Sequence, residues 1–198
     1  CFSNCNSLVT IKIPSSVTSV GEGAFQECQG LVSIDIPTSI TSLKPYTFYH
    51  CISLNTMLIP SSVTIIGKYS FAYCNSLTSI NIPSQISLID KYAFSGCTAL
   101  TSIYANAITP IDLSLSIKVF NNVSNINCIL YVPVGSLSLY KLANQWKDFN
   151  NILEYVPSAL TLTLDSAFKI NIQNNQLVVS GFERGKILKV YNIQGKMI

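Results

Sequence analysis

The chain predicts a repeat solenoid, on three observations. Phe recurs at 2, 25, 48, 71 and 94, Cys at 5, 28, 51, 74 and 97, and Leu at 8, 31, 54, 77 and 100, each at a step of 23 residues. A second block of apolar columns follows in the same register: Ile11, Ile34, Met57, Ile80 and Ile103, then Ile13, Ile36, Ile59 and Ile82. Pro14, Pro37, Pro60 and Pro83 close that block in four successive units. A short unit with six or seven apolar positions cannot bury them alone, and stacking on its neighbours makes one continuous core.

Each unit divides into local elements. In "LTSINIP", Leu77, Ile80 and Ile82 alternate with Ser79 and Asn81, a period of two that predicts a short strand with one face inward. Pro83 ends it, because Pro has no N–H to continue a ladder. A second short extended piece is expected at Ser87–Ile89, carrying the column Val20, Leu43, Ile66 and Ile89. A tight turn and the Phe anchor follow. Burying the Phe, Leu and Ile positions contributes about 1.5–3 kcal/mol per side chain. Met57 and Leu58 break the third strand pattern, and Ala105–Asn106 replace Ile–Pro in the fifth.

The regular array decays from residue 107. "CILYVPVGS" repeats the strand-then-Pro theme, with Leu130 and Val132 inward, after an insertion of about one helical turn. "SLYKLANQWKDF" predicts a capping helix with Leu139, Leu142, Trp146 and Phe149 on one apolar face. Trp146 is read as the plug of the solenoid's open end, which every stack of repeats needs. Beyond Ser158, "LTLTL", "FKINI", "QLVVS" and "ILKVYNI" are short strand patterns separated by turn signals. The organisation expected is a solenoid over 1–135, a cap with a helix over 136–157, and a small β module over 158–198, possibly incomplete.

Composition narrows function. Only 11% of residues are charged and 48% are hydrophobic, so Ser, Thr and Asn must cover the surface. The net charge of +3 comes from scattered basic residues, with no stripe suited to nucleic acid. No apolar run approaches the roughly 18 residues of a membrane span. The chain opens on Cys1 in mid-motif and shows no signal peptide, so a piece of a longer precursor is expected.

The unit A-F-x-x-C-x-x-L-x-x-I-x-I-P-x-x-V/I-x-x-I resembles the BspA-like leucine-rich repeat of treponemal type. "CFSNCNSLVTIKIPSSVTSV", "AFQECQGLVSIDIPTSITSL", "TFYHCISLNTMLIPSSVTII", "SFAYCNSLTSINIPSQISLI" and "AFSGCTALTSIYA" carry the resemblance, over roughly residues 1–135. It implies a right-handed, curved leucine-rich-repeat coil on secreted or cell-surface proteins of host-associated bacteria. It also implies adhesion or binding to a host extracellular protein or glycan rather than catalysis. V-P-x-G-S…Y…W…F resembles the terminal unit of the same family. "KILKVYNIQGKMI" is similar to C-terminal secretion-sorting modules of the same bacterial group, with a β spacer as the alternative.

Candidate chemistry is sparse. Seven Cys cannot all pair within one chain. The column Cys5, Cys28, Cys51, Cys74 and Cys97 shares one direction into the core, which suits buried reduced thiols better than bridges, and a line of thiolates offers no tetrahedral metal set. The single His50 varies in type with Asn4, Glu27, Tyr73 and Gly96, which reads as exposed surface. No acids converge, no base stands in register with a Ser or Thr, and no phosphate loop occurs. The expectation is a non-enzyme, monomeric, without metal or cofactor.

A binding surface remains. Outward strand residues form a uniform column of Thr10, Ser33, Thr56, Ser79 and Ser102, beside a varied one of Lys12, Asp35, Leu58, Asn81 and Tyr104. Variation between otherwise identical repeats is where specificity can reside. A second row, Tyr46, Tyr69 and Tyr92, offers either turn packing or a carbohydrate platform. The remaining alternative is a passive stalk that displays another domain.

Overall fold

The computed structural model describes residues 2–156, 169–173 and 176–180. The chain divides into two compact units, Cys1–Glu154 and Tyr155–Ile198. The first is a solenoid of stacked coils. Its strands are β1 (Thr10–Lys12), β2 (Ser33–Asp35), β3 (Ser42–Leu43), β4 (Ile65–Ile66), β5 (Ser79–Ile82), β6 (Leu88–Ile89), β7 (Ser102–Ala105) and β8 (Ile129–Pro133). The one-turn helix α1 (Leu137–Tyr140) and strand β9 (Asn151–Tyr155) follow.

Each coil returns the chain in the same direction, so neighbouring strands pair in parallel at the repeat step. Ser79 faces Ser102, Ile80 faces Ile103 and Asn81 faces Tyr104. The second extended piece makes its own ladder, β3–β4–β6, with Leu43 beside Ile66 and Ile66 beside Ile89. Each Pro of the column starts a turn: its carbonyl accepts the N–H three residues on, from Pro14 to Val17 (3.0 Å) through Pro83 to Ile86 (3.2 Å). Asn106, in the Pro position of the fifth unit, has an N–H and donates it to Ile82 O at 3.0 Å.

The core follows the columns. Leu31, Leu54, Leu77, Ile80, Ile66 and Ile89 are buried, as are Phe25, Phe48, Phe71 and Phe94. The Phe rings stack from Phe2 through Phe120 at centroid spacings of 5.2–5.8 Å, one ring per coil. Phe2 is 45% exposed.

Two findings depart from the sequence expectation. The capping helix is one turn long, and Leu139 and Leu142 are exposed at 43% and 79%. Its inward residues are instead Tyr140, with Leu137 and Ala143 packed against the core. The chain leaves the helix after Tyr140 and brings Trp146 and Phe149 inward by turns, so helical spacing does not apply beyond it. Trp146 is fully buried, lies 5.1 Å from the Phe120 ring, and donates its indole N–H to Ile111 O at 2.9 Å. Gln145 completes the plug: its amide accepts from Val119 N at 2.7 Å and donates to the carbonyls of Leu113 and Ser116.

The second departure is the third strand. Thr56–Ile59 forms no strand, and among the described residues its backbone N–H and C=O groups make no backbone hydrogen bond. The strand face is thereby cut into a pair, β1–β2, and a four-stranded sheet, β5–β7–β8–β9.

In the second unit, β10 (Lys169–Gln173) and β11 (Gln176–Ser180) form an antiparallel hairpin with Gln173 opposite Gln176. This accords with "FKINI" and "QLVVS" as strands; "LTLTL" and "ILKVYNI", like Cys1, lie outside the described residues.

Candidate functional site

Two edges of the coil carry the side chains of interest. The first is the Phe–Cys turn. Cys28, Cys51, Cys74 and Cys97 are fully buried and unbridged, and Cys5 is half-buried in the first coil. Each buried thiol donates to the carbonyl of the Phe 26 residues earlier: Cys28 to Phe2 (2.8 Å), Cys51 to Phe25 (3.0 Å), Cys74 to Phe48 (3.2 Å) and Cys97 to Phe71 (3.1 Å). The same carbonyls accept the N–H of the Cys in their own coil at 3.1–3.2 Å, using both lone pairs. The thiols are therefore cross-links between coils.

Burial penalises the thiolate and pushes these groups up from the usual 9.0, Cys51 and Cys97 to about 12 and Cys74 well above its usual value. Cys28 is also raised, chiefly by burial, and Cys128, outside the column, reaches about 11 for the same reason. These are protonated, enclosed thiols, unsuited to nucleophilic attack or metal ligation. Among the described residues, no cluster of three His, Cys, Asp or Glu could hold a metal.

His50 sits differently from its sequence expectation. It is half-buried, its ring near Tyr49 and Tyr73. Its column, Asn4, Glu27, His50, Tyr73 and Gly96, has φ of +58° to +76° throughout, and each N–H bonds to the following coil at 2.7–2.8 Å. The column is constrained in backbone rather than in side chain. The Tyr row shares this property: Gly23, Tyr46, Tyr69 and Tyr92 have φ of +55° to +59°. Tyr46 stacks on Tyr69 at 5.3 Å, and Tyr69 on Tyr92 at 4.8 Å. Tyr49 meets Tyr46, Tyr69 and Tyr73 edge-on, and Lys68 lies 5.3 Å from the Tyr69 centroid. The inner ring faces of this row cover one another, and a sugar stacks on faces.

The strand face is the second edge. Thr10, Lys12, Asp35, Thr56, Leu58 and Asn81 are exposed, and Ser33, Ser79, Ser102 and Tyr104 are half-buried. Strand pairing places Thr10 beside Ser33 and Lys12 beside Asp35, and likewise Ser79 beside Ser102 and Asn81 beside Tyr104. Thr56 and Leu58 lie between these groups, outside any ladder. Leu58 is 70% exposed, and a cleft of about 460 Å³ opens beside it, reaching between coils as far as the inward-facing Ile34 and Ile36.

Two strand-face residues were not anticipated. Tyr131 stacks on Tyr104 at 4.7 Å with rings 8° from parallel, and Asn106 donates its amide to Asn81 Oδ1 at 2.6 Å. Tyr131 occupies the outward position between Leu130 and Val132. Its membership of the column is hidden because Ser102 pairs with Ile129, a step of 27 rather than 23.

Residues 1–127 match the sequence model of the BspA type leucine rich repeat region, in six copies. Among solved structures, the chain is similar to a leucine-rich repeat protein from Bacteroides ovatus, with 29% identity and a TM-score of 0.58 over 76% of this chain and 37% of that one. It is similar to the T. pallidum leucine rich repeat protein at 29% identity and a TM-score of 0.59, over 66% of this chain and 58% of that one. A leucine rich cell surface protein from Faecalibacterium prausnitzii matches at 28% identity and a TM-score of 0.50, over 73% of this chain and 31% of that one. The chain thus spans less than two thirds of each of these proteins. No curated protein matches the sequence.

Proposed function

The chain belongs to the BspA-type leucine-rich repeat family, and from that premise we propose that it is a non-catalytic recognition module that binds an extracellular protein through its strand face. The observation that carries this is the contrast between columns. The inward positions repeat almost without change, whereas Lys12, Asp35, Leu58, Asn81 and Tyr104 differ in charge, size and polarity; all but the half-buried Tyr104 are exposed, and Lys12 is in register with Asp35 and Asn81 with Tyr104. The hydroxyl column from Thr10 to Ser102 flanks them and supplies a flat surface that leaves a partner room. A surface location accords with a neighbour described as a cell surface protein; adhesion to a host protein is the role proposed there.

The test is an array of extracellular matrix proteins and glycans probed with the chain, alongside Asp35→Lys and Tyr104→Ala. Binding that falls at least tenfold in these variants, with an unchanged circular dichroism spectrum, supports recognition by the strand face. Absence of binding to any arrayed molecule supports the passive stalk. Binding to glycans that is lost only on substitution of Tyr46, Tyr69 or Tyr92 supports the carbohydrate alternative.

A further inference from the structure

We infer that the interrupted ladder at the third coil is the specific contact point of this face, and that it takes a short extended peptide segment carrying a cationic side chain next to an aliphatic one. This rests on the strand-face reading and narrows it.

Three observations converge there. First, a stretch of four residues, Thr56–Ile59, in which Thr56 and Leu58 are exposed, leaves its backbone donors and acceptors without backbone partners between the ladders of the same face. Such groups are strong, obligatory hydrogen-bonding groups, and an extended chain supplies both kinds at strand spacing. Second, the cleft has apolar walls in Ile36, Met57 and Leu58, and Leu58 projects into solvent at 70% exposure. Third, Asp35 is the one charged residue in the lining. Lys12 stands beside it in register on the side away from the cleft, and no ion pair engages the Asp35 carboxylate among the described residues. Unpaired backbone, an aliphatic contact and a lone carboxylate together match a peptide. A neutral glycan would satisfy only the first.

The break has a local cause. The second, fourth and fifth units place a β-branched Ile inward and a polar or aromatic residue outward, as in Ile34–Asp35, Ile80–Asn81 and Ile103–Tyr104. The third unit has unbranched Met57 and an outward Leu58, which suit a half-buried pleat less well. The double substitution Met57→Ile with Leu58→Asn restores the pattern of the fourth unit and is expected to close the ladder.

The experiment is an array of random decapeptides probed with the whole chain, then fluorescence anisotropy on the peptides selected. Selected peptides are expected to carry Lys or Arg near Leu, Ile, Val or Phe. Asp35→Lys should weaken them by about tenfold or more, which is about 1.4 kcal/mol, and the same peptides with Glu in place of the cation should regain affinity for that variant. Met57→Ile/Leu58→Asn should raise the melting temperature and abolish binding. Equal affinity of wild type and Asp35→Lys for every selected peptide would overturn the inference, as would binding to neutral glycans alone or retention of binding after ladder repair. If Asn81→Ala and Tyr104→Ala remove binding while the Asp35 and Leu58 substitutions do not, the cleft is wrong and the strand-face reading stands. If no strand-face substitution changes binding, both fall.

Discussion

The Phe–Cys edge and the strand face are made by the same coils, yet they are built on opposite terms. On the Phe–Cys edge four successive coils repeat the same thiol bonded to the carbonyl of the coil before, at 2.8–3.2 Å, and the rings stack coil on coil from Phe2 to Phe120 at 5.2–5.8 Å. On the strand face the backbone repeats but the outward side chains do not, and the ladder itself is interrupted at the third coil. A stack of repeats holds together through nearest-neighbour terms. One edge that supplies those terms at every step leaves the other free to vary, and even to lose a rung.

If the inner edge carries the stability, its largest single dependence is at the closed end. Trp146→Ala removes a fully buried ring that packs on Phe120 and Tyr140, and should destabilise the solenoid by about 3–5 kcal/mol in urea unfolding. Strand-face substitutions such as Asn81→Ala should stay within about 0.5 kcal/mol. Comparable losses at the two sites would erase the distinction.

A second way to break the comparison is alkali. Cys51 and Cys97 ionise near 12 in the fold against 9.0 ordinarily, because burial disfavours the thiolate. Their contribution to stability is therefore complete below pH 9 and is lost as pH rises from 9 through 12, since the unfolded chain releases those protons first. Melting temperature should fall across that window, and Cys51→Ala should flatten the fall. Below pH 9, thiol reagents should modify Cys5 ahead of the buried column. Rapid modification of all the described thiols without denaturant would contradict the enclosed column.

A gain in stability is expected at Ser70. Its hydroxyl is buried and has no hydrogen-bond partner, in a column where Ala24 and Ala93 occur and where Thr47 bonds Lys44 O at 2.7 Å. Ser70→Ala should raise stability by about 1 kcal/mol by removing an unsatisfied group. A loss on that substitution would mean that the hydroxyl has a partner in solution.

Much of this architecture was legible in the sequence, because burial constrains side-chain type. Leu77, Ile80 and Ile82 could only be inward together if Ser79 and Asn81 were outward, and the 23-residue step fixed which residues neighbour one another. What escaped was constrained by something other than side-chain type. The column of Asn4, Glu27, His50, Tyr73 and Gly96 looks unconstrained because its requirement is a left-handed backbone that donates an N–H to the next coil. The cap departs from helical spacing because the helix ends at Tyr140, where the chain turns and Trp146 reaches the core by another route. Tyr131 was hidden by the longer step of the fifth coil. At the candidate site, the sequence marks Met57–Leu58 as a departure and the outward columns as varied. The cleft and the unpaired backbone depend on how far neighbouring coils separate, which no single residue encodes.

The most direct test of the contrast between a sealed inner edge and an interrupted strand face is amide hydrogen exchange, residue by residue, on the third and fourth coils. The amides of Met57 and Ile59 should exchange as open groups, while those of Ile80 and Ile82, in the same positions one coil on, should be protected along with the turn amides of Phe48 and Phe71. Equal protection of the two strands would mean that the ladder runs unbroken through the third coil, and the cleft would lose its basis.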